Sequence, residues 1–184
     1  MSGGLWTRRR CALLGLSALA GALVSASTRV SAAAGSRRWI ELKNLHTGEV
    51  LKATFDRDAG PDPETLAKLQ HQLRDYRINE EHAMDAALYG LLSDLAEVTG
   101  HEARYEVISG YRSPRTNAKL HAEGHGVAEH SLHMEGRAID VRLPKIDCAA
   151  LAACALDLAR GGVGYYRTSD FVHLDTGRYR TWRG

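Results

Sequence analysis

The order in which apolar spacing changes along the chain sets the tightest limit on what it can fold into. Trp39-Ile40-Glu41-Leu42-Lys43 and Val50 to Phe55 alternate in part around a turn containing Gly48, the pattern of a β-hairpin. Leu66, Leu69, Leu73 and Tyr76 then recur at three or four residues behind an Asp62-Pro63 start, which predicts a helix from there to about Arg77. A second helix is predicted from Met84 to Val98, stopped by Gly100. Arg104 to Ser109 and Arg137 to Leu143 read as strands, with a helix opened by Ser113-Pro114 and a Gly- and His-rich loop from His121 to His133 between them. Residues 148 to 160 form a further helix with Asp147 as its cap and Gly161-Gly162 as its stop, and Val163 to Tyr166 and Phe171 to Asp175 give the last two strands. This order lacks the βαβα rhythm of a doubly wound sheet and predicts an α+β domain with an antiparallel core sheet.

The first 34 residues stand apart from that pattern. Arg8, Arg9 and Arg10 precede an uncharged stretch from Cys11 to Ser27, and Ala32-Ala33-Ala34 supplies small residues of the kind a signal peptidase accepts. The paired arginine points to the twin-arginine route, an address read by a receptor. A retained anchor is the alternative, although the uncharged stretch falls just short of the roughly 18 apolar residues of a spanning helix. Residues 35–184 are then one exported domain, with no stable membrane span after cleavage and a periplasmic or cell-envelope location.

Four of the 24 basic residues and none of the 22 acidic ones precede Gly35, so 20 basic residues face 22 acidic ones in the domain. Without a basic stripe the domain lacks the footprint of a nucleic-acid binder, and nucleic acid is excluded as a partner. Cys11 leaves with the signal. Cys148 and Cys154 lie six residues apart on one helix, about 9 Å along its axis, beyond the roughly 7 Å a disulfide can bridge. Both read as small buried hydrophobes.

Chemistry concentrates in two short stretches, Ser131 to Asp140 and Phe171 to Asp175. Alternation in the two strands sends Ile139, Val141, Val172 and Leu174 to the core. Asp140 then falls on the opposite face of its strand, as His173 and Asp175 do on theirs. With His133 in the preceding loop, His133, Asp140 and His173 could offer the three nitrogen or oxygen ligands of a catalytic zinc site. Nine histidines in 184 residues also make chance pairs, and a histidine beside a strand is as well explained by a surface hydrogen bond.

The words themselves are more specific. Ser-x-His-x-x-Gly-x-Ala-x-Asp from Ser131 to Asp140, followed by Val172-His173, resembles the zinc D-Ala-D-Ala peptidase family of VanX-like dipeptidases and phage L-alanyl-D-glutamate endopeptidases. Asn44 to Glu49, Ile108 to Ser113, Gly161 to Tyr166 and Phe171 to Gly177 look like its MepK-type branch of exported murein endopeptidases. The resemblance implies the Hedgehog/DD-peptidase fold, a Zn2+ cofactor held by His133, Asp140 and His173, and cleavage of peptidoglycan cross-link peptides. A D,D-carboxypeptidase or dipeptidase, or a module of the same fold that binds zinc and peptidoglycan without turnover, are the alternatives.

In the wider family an acidic residue three positions before the last ligand relays the proton, and Asp170 stands there. Asp175 is its competitor, as base or as a partner that fixes the His173 imidazole. The expectation favours Asp170, although Asp reaches one methylene less than the Glu of many relatives. Arg112, in Ser-Gly-Tyr-Arg, is implied to bind substrate and stabilise an oxyanion, with Ser109 and Tyr111 lining the same edge. Ser131 braces the loop. His46 and His71 read as turn or packing residues, and His121, His125 and His130 as solvated loop histidines.

Overall fold

A computed structural model of the protein describes residues 37–124 and 126–184. The expected export segment, with Cys11, and His125 lie outside the described residues. The chain runs β1 (Arg37–Asn44), β2 (Val50–Asp56), α1 (Pro63–Gln72), α2 (Ala87–Thr99), β3 (Arg104–Ser109), α3 (Pro114–Ala122), a 3-10 turn (Leu132–Glu135), β4 (Ala138–Arg142), α4 (Cys148–Leu158), β5 (Gly162–Tyr166), β6 (Phe171–Asp175) and β7 (Arg180–Arg183).

The strands form one sheet in the order β2-β1-β3-β4-β6-β5-β7. The expected antiparallel core is present in β3-β4-β6-β5. The whole sheet is nevertheless mixed, because β1 joins β3 in parallel and β7 joins β5 in parallel. Alternation explains what each face does. Ile40, Leu42, Tyr105, Ile139, Val172 and Leu174 are fully or almost fully buried in the core, where α1, α2 and α4 pack on the strands. The opposite face of β4 and β6 is left free to carry polar side chains.

Local chemistry sets the ends of the elements. Asp62 caps α1 by accepting from the Thr65 backbone N–H, with Pro63 in the first turn. That helix stops at Gln72, short of the expected Arg77, because Arg74 turns back to the His71 carbonyl and to Glu49 while the Asp75 carboxylate accepts from the Ser113 backbone N–H and hydroxyl. The second helix starts at Ala87 rather than Met84, since Asp85 accepts from the Ala87 N–H and its own N–H donates to the Gly136 carbonyl. Ala159, at φ +52°, ends α4 ahead of Gly161, and β7 extends the sheet by a strand beyond the expected last two. Cys148 is buried and Cys154 half-buried, both as free thiols, and burial first of all pushes Cys148 up to about 12.

Two core tyrosines give a test of this packing. The Tyr105 hydroxyl donates to the Leu92 carbonyl at 2.7 Å, whereas the equally buried Tyr89 hydroxyl has no partner among the described residues. A buried hydroxyl without a hydrogen bond costs about 1–3 kcal/mol, and a satisfied one contributes about 1 kcal/mol. Tyr89→Phe is expected to raise the thermal midpoint by roughly 2–4 °C and Tyr105→Phe to lower it by a similar amount. Scanning calorimetry decides the point, and a destabilised Tyr89→Phe variant would contradict the packing.

Candidate active site

Strand register gathers the site. Asp140 pairs with Ser109 on one side and His173 on the other, His173 pairs with Gly164, and Gly164 with Trp182. Paired residues of neighbouring strands share a face, so Ser109, Asp140, His173, Gly164 and Trp182 form one row across five strands. A bulge between Val107 and Ser109 makes this possible, because Val107 still opposes Val141 while Ser109 opposes Asp140. The extra residue reverses the alternation and brings the end of β3 round to the polar face.

His133 comes to the row from the 3-10 turn. The Ser131 hydroxyl accepts from the His133 backbone N–H at 3.4 Å, and Gly136 closes the turn at φ +66°. A Cβ at Gly136 would lie 2.1 Å from the Ala83 carbonyl oxygen, so only glycine permits both the turn and its seat on the chain before α2.

The three candidate ligand atoms then converge. His133 Nε2 lies 3.1 Å from His173 Nδ1 and 3.2 Å from Asp140 Oδ1, and His173 Nδ1 lies 2.8 Å from the same Asp140 oxygen. All three residues are buried, and they are the one group of this kind among the described residues. The far nitrogens decide the tautomers. His133 Nδ1 faces the Gly110 carbonyl at 2.6 Å and must donate to it, and His173 Nε2 faces an Asp175 oxygen at 3.1 Å and donates there. In the neutral rings the two inner nitrogens are therefore lone pairs pointed at a carboxylate. Four tetrahedral ligands at about 2.0 Å from a zinc ion stand about 3.3 Å apart, close to the observed spacing. The residues thus fit a zinc ion.

Electrostatics says the same. Burial dominates at His133 and lowers its pKa. At His173 burial also opposes the charge, but Asp140 and Asp175 outweigh it and push the value up to about 9. Asp140 is held well below the usual carboxylate range by the two imidazoles, against the opposing effect of burial. The pocket demands one positive charge.

Asp175 is fully buried and saturated. It accepts from His173, from the Gly162 and Gly177 backbone N–H groups at 3.0 and 2.8 Å, and from both Arg180 nitrogens at 3.0 and 2.7 Å. Asp170 lies elsewhere. It sits in the turn just before β6, where its left-handed backbone takes it out of strand alternation. It is exposed at φ +51°, beside Arg142 at 3.6 Å and the Cys148 thiol. Among the described residues, neither Asp170 nor Asp175 lines the cleft.

That cleft, of about 500 Å³, is lined by Arg112, residues 126–128 and 130–133, Asp140, His173 and an aromatic and basic wall of Tyr166, Phe171, Arg180 and Trp182. Arg112 is only 7 % exposed. Its Nη atoms reach Asn117 at 3.3 Å, Ser109 at 3.4 Å and Asp140 at 3.7 Å, while Nε has no partner among the described residues. Ser109 therefore supports Arg112. Tyr111 turns away, its hydroxyl on Glu80 at 2.9 Å and its ring stacked on His82. His46 bonds the Ile108 carbonyl and His121 the Val127 carbonyl, while His71 pairs with Glu81, and none of them belongs to the ligand group. His130 lines the cleft. Trp182 and Arg180 were not legible as site residues, since the four-residue β7 gives little periodicity to read.

Comparison with known proteins converges on one family. A family model described as "Peptidoglycan L,D-endopeptidase MepK" matches residues 32–182. The chain is 41% identical over 175 residues to the "Peptidoglycan L,D-endopeptidase MepK" of Escherichia coli (strain K12), covering 95% of this chain and 96% of that relative. It is also 41% identical over 148 residues to the "Probable peptidoglycan L,D-endopeptidase MepK" of Haemophilus influenzae, covering 80% of each.

The ligand geometry predicts that the purified domain takes up about one zinc per chain. His133→Ala and His173→Ala are each expected to retain the far-ultraviolet circular dichroism of the fold and to lose the metal on dialysis. Full zinc occupancy in either variant, measured by atomic emission, would contradict the ligand set.

Proposed function

The chain belongs to the peptidoglycan L,D-endopeptidase MepK family, and from that membership we propose that it is an exported zinc metallopeptidase with the Hedgehog/DD-peptidase fold that hydrolyses L,D-peptide bonds in peptidoglycan cross-links. The observation that carries this reading is the meeting of His133 Nε2, Asp140 Oδ1 and His173 Nδ1 beside the unsatisfied Arg112 Nε–H. Residues 1–34 deliver the domain by the twin-arginine route, and no helix among the described residues is long and apolar enough to cross a membrane.

Bound zinc supplies Lewis acidity, which makes water nucleophilic near neutral pH and polarises a carbonyl. The protein does the rest through position. The Gly110 carbonyl and Asp175 hold the two imidazoles in the tautomer that presents lone pairs inward. Arg180 in turn fixes Asp175 with two parallel N–H donors. Arg112 presents a permanent cation at the side of Asp140, where the oxygen of the attacked carbonyl gains negative charge. Burial and Ser109, Asn117 and Asp140 hold the guanidinium in place beforehand, so little reorganisation accompanies the reaction. The cleft exposes no unpaired carboxylate and carries Arg112, Arg180 and His130, which suits peptides with several free carboxylates.

Cross-linked muropeptides incubated with zinc-loaded protein should be cut, with products resolved by chromatography. Arg112→Ala is expected to lower kcat by roughly 10²–10³-fold at unchanged zinc content. Asp170→Asn is expected to stay near wild type, given its place outside the cleft. Comparable rates for wild type and Arg112→Ala would overturn the role of Arg112, and zinc-loaded wild type without turnover would favour a binding module.

A further inference from the structure

The row of paired strands ends in an arrangement that the ligand set does not require. Gly164 stands between His173 and Trp182, and a Cβ there would lie 2.5 Å from the indole Cε2. The Trp182 indole therefore occupies the space of the missing side chain, with its ring 5.1 Å from that of His173. Its Nε1–H donates to the Tyr166 hydroxyl oxygen at 3.0 Å. Arg180 lies 4.9 Å over the same indole and limits its movement on the β7 side.

Tyr166 is held just as firmly. Its ring stacks on Phe171 at 4.5 Å and 14°, and Gly184 lies so close that a Cβ there would meet the ring at 2.4 Å. The two neighbouring tyrosines divide their work, since Tyr165 packs against the core while Tyr166 lines the cleft. With its oxygen accepting from Trp182, the Tyr166 hydroxyl keeps its own proton to donate, and among the described residues it donates to none. Arg112 lines the same cleft. Asp140, 3.7 Å from Arg112, and His173, paired with Gly164 two residues before Tyr166, line it too.

We propose that Tyr166 is a further catalytic residue, donating a hydrogen bond to the charge that develops on the attacked carbonyl, and that Trp182 is the positioning residue that orients its hydroxyl. The role rests on the peptidase reading above. A neutral donor fixed by packing suits it, because a hydrogen bond prepared in advance favours the transition state over the substrate. The small residue at 164 follows from the same need, since any side chain there would displace the indole.

Tyr166→Phe removes only the hydroxyl and keeps the stacking on Phe171. It is expected to lower kcat on cross-linked muropeptides on the order of 10²-fold, with KM and zinc content close to wild type. Trp182→Phe is expected to cost about tenfold in the Tyr166 background and nothing in the Tyr166→Phe background, because a residue acting through that hydroxyl has no effect once it is gone. A second readout does not depend on turnover. Calorimetry with a phosphinic pseudopeptide, its tetrahedral phosphorus replacing the scissile carbonyl, should show weaker binding to Tyr166→Phe than to wild type, by at least tenfold. Wild-type kcat and wild-type phosphinate affinity in Tyr166→Phe would overturn the role of Tyr166 with the reaction left in place. Equal losses from Trp182→Phe in both backgrounds would overturn the positioning role. An inactive wild type would remove the reaction and this role with it.

Discussion

Two imidazole lone pairs and a carboxylate oxygen lie 2.8–3.2 Å apart in a buried pocket, and such a cluster is tolerated only with a positive charge at its centre. Neighbours that are themselves immobile enforce this. The Gly110 carbonyl is fixed by the chain between β3 and α3, and the Gly110 backbone packs against Leu73 so closely that a Cβ would lie 2.5 Å from the Leu73 carbonyl oxygen. Asp175 is fixed by four other N–H donors besides His173. Neither histidine can turn its lone pair away without breaking a buried hydrogen bond, at a cost of about 1–3 kcal/mol.

The sheet exists in the form this demands. The bulge in β3 brings Ser109 to the polar face beside Asp140, and the tight β5–β6 pairing sets Gly164 beside His173. Apolar residues on the other face of the same strands anchor them to α2 and α4, so ligand positions inherit the rigidity of the core. A ligand set on two adjacent strands of a packed sheet is held more closely than one on loops. The contribution from outside the sheet, His133, is tied by its turn to Gly136 and by its ring to Gly110.

Much of this was legible in the sequence, and the limits follow from physics. The meeting of Asp140 and His173 is legible because alternation in Ala138–Arg142 and Phe171–Asp175 sends both away from the core, and two helix starts are legible because the Asp62-Pro63 and Ser113-Pro114 caps mark them with their own side chains. Helix ends were less legible, because α1 stops through contacts of Arg74 and Asp75 with residues far along the chain. The resemblance favours Asp170, and the structure leaves it exposed in the turn before β6, beside Arg142. Tyr111 was grouped with Arg112 by proximity in sequence, while adjacent residues of an extended chain point apart. The wall of Tyr166, Arg180 and Trp182 depends on a parallel pairing between β5 and β7, a long-range choice that four residues do not announce.

The central claim is that a single zinc ion joins His133, Asp140 and His173. Anomalous diffraction from crystals of the zinc-loaded domain, recorded on both sides of the zinc absorption edge, tests it most directly. The account predicts one anomalous peak per chain, about 2.0–2.2 Å from His133 Nε2, an Asp140 oxygen and His173 Nδ1, with Asp175 outside the coordination sphere. A peak bound by other residues, or the absence of a peak with these three side chains still in mutual contact, would contradict it.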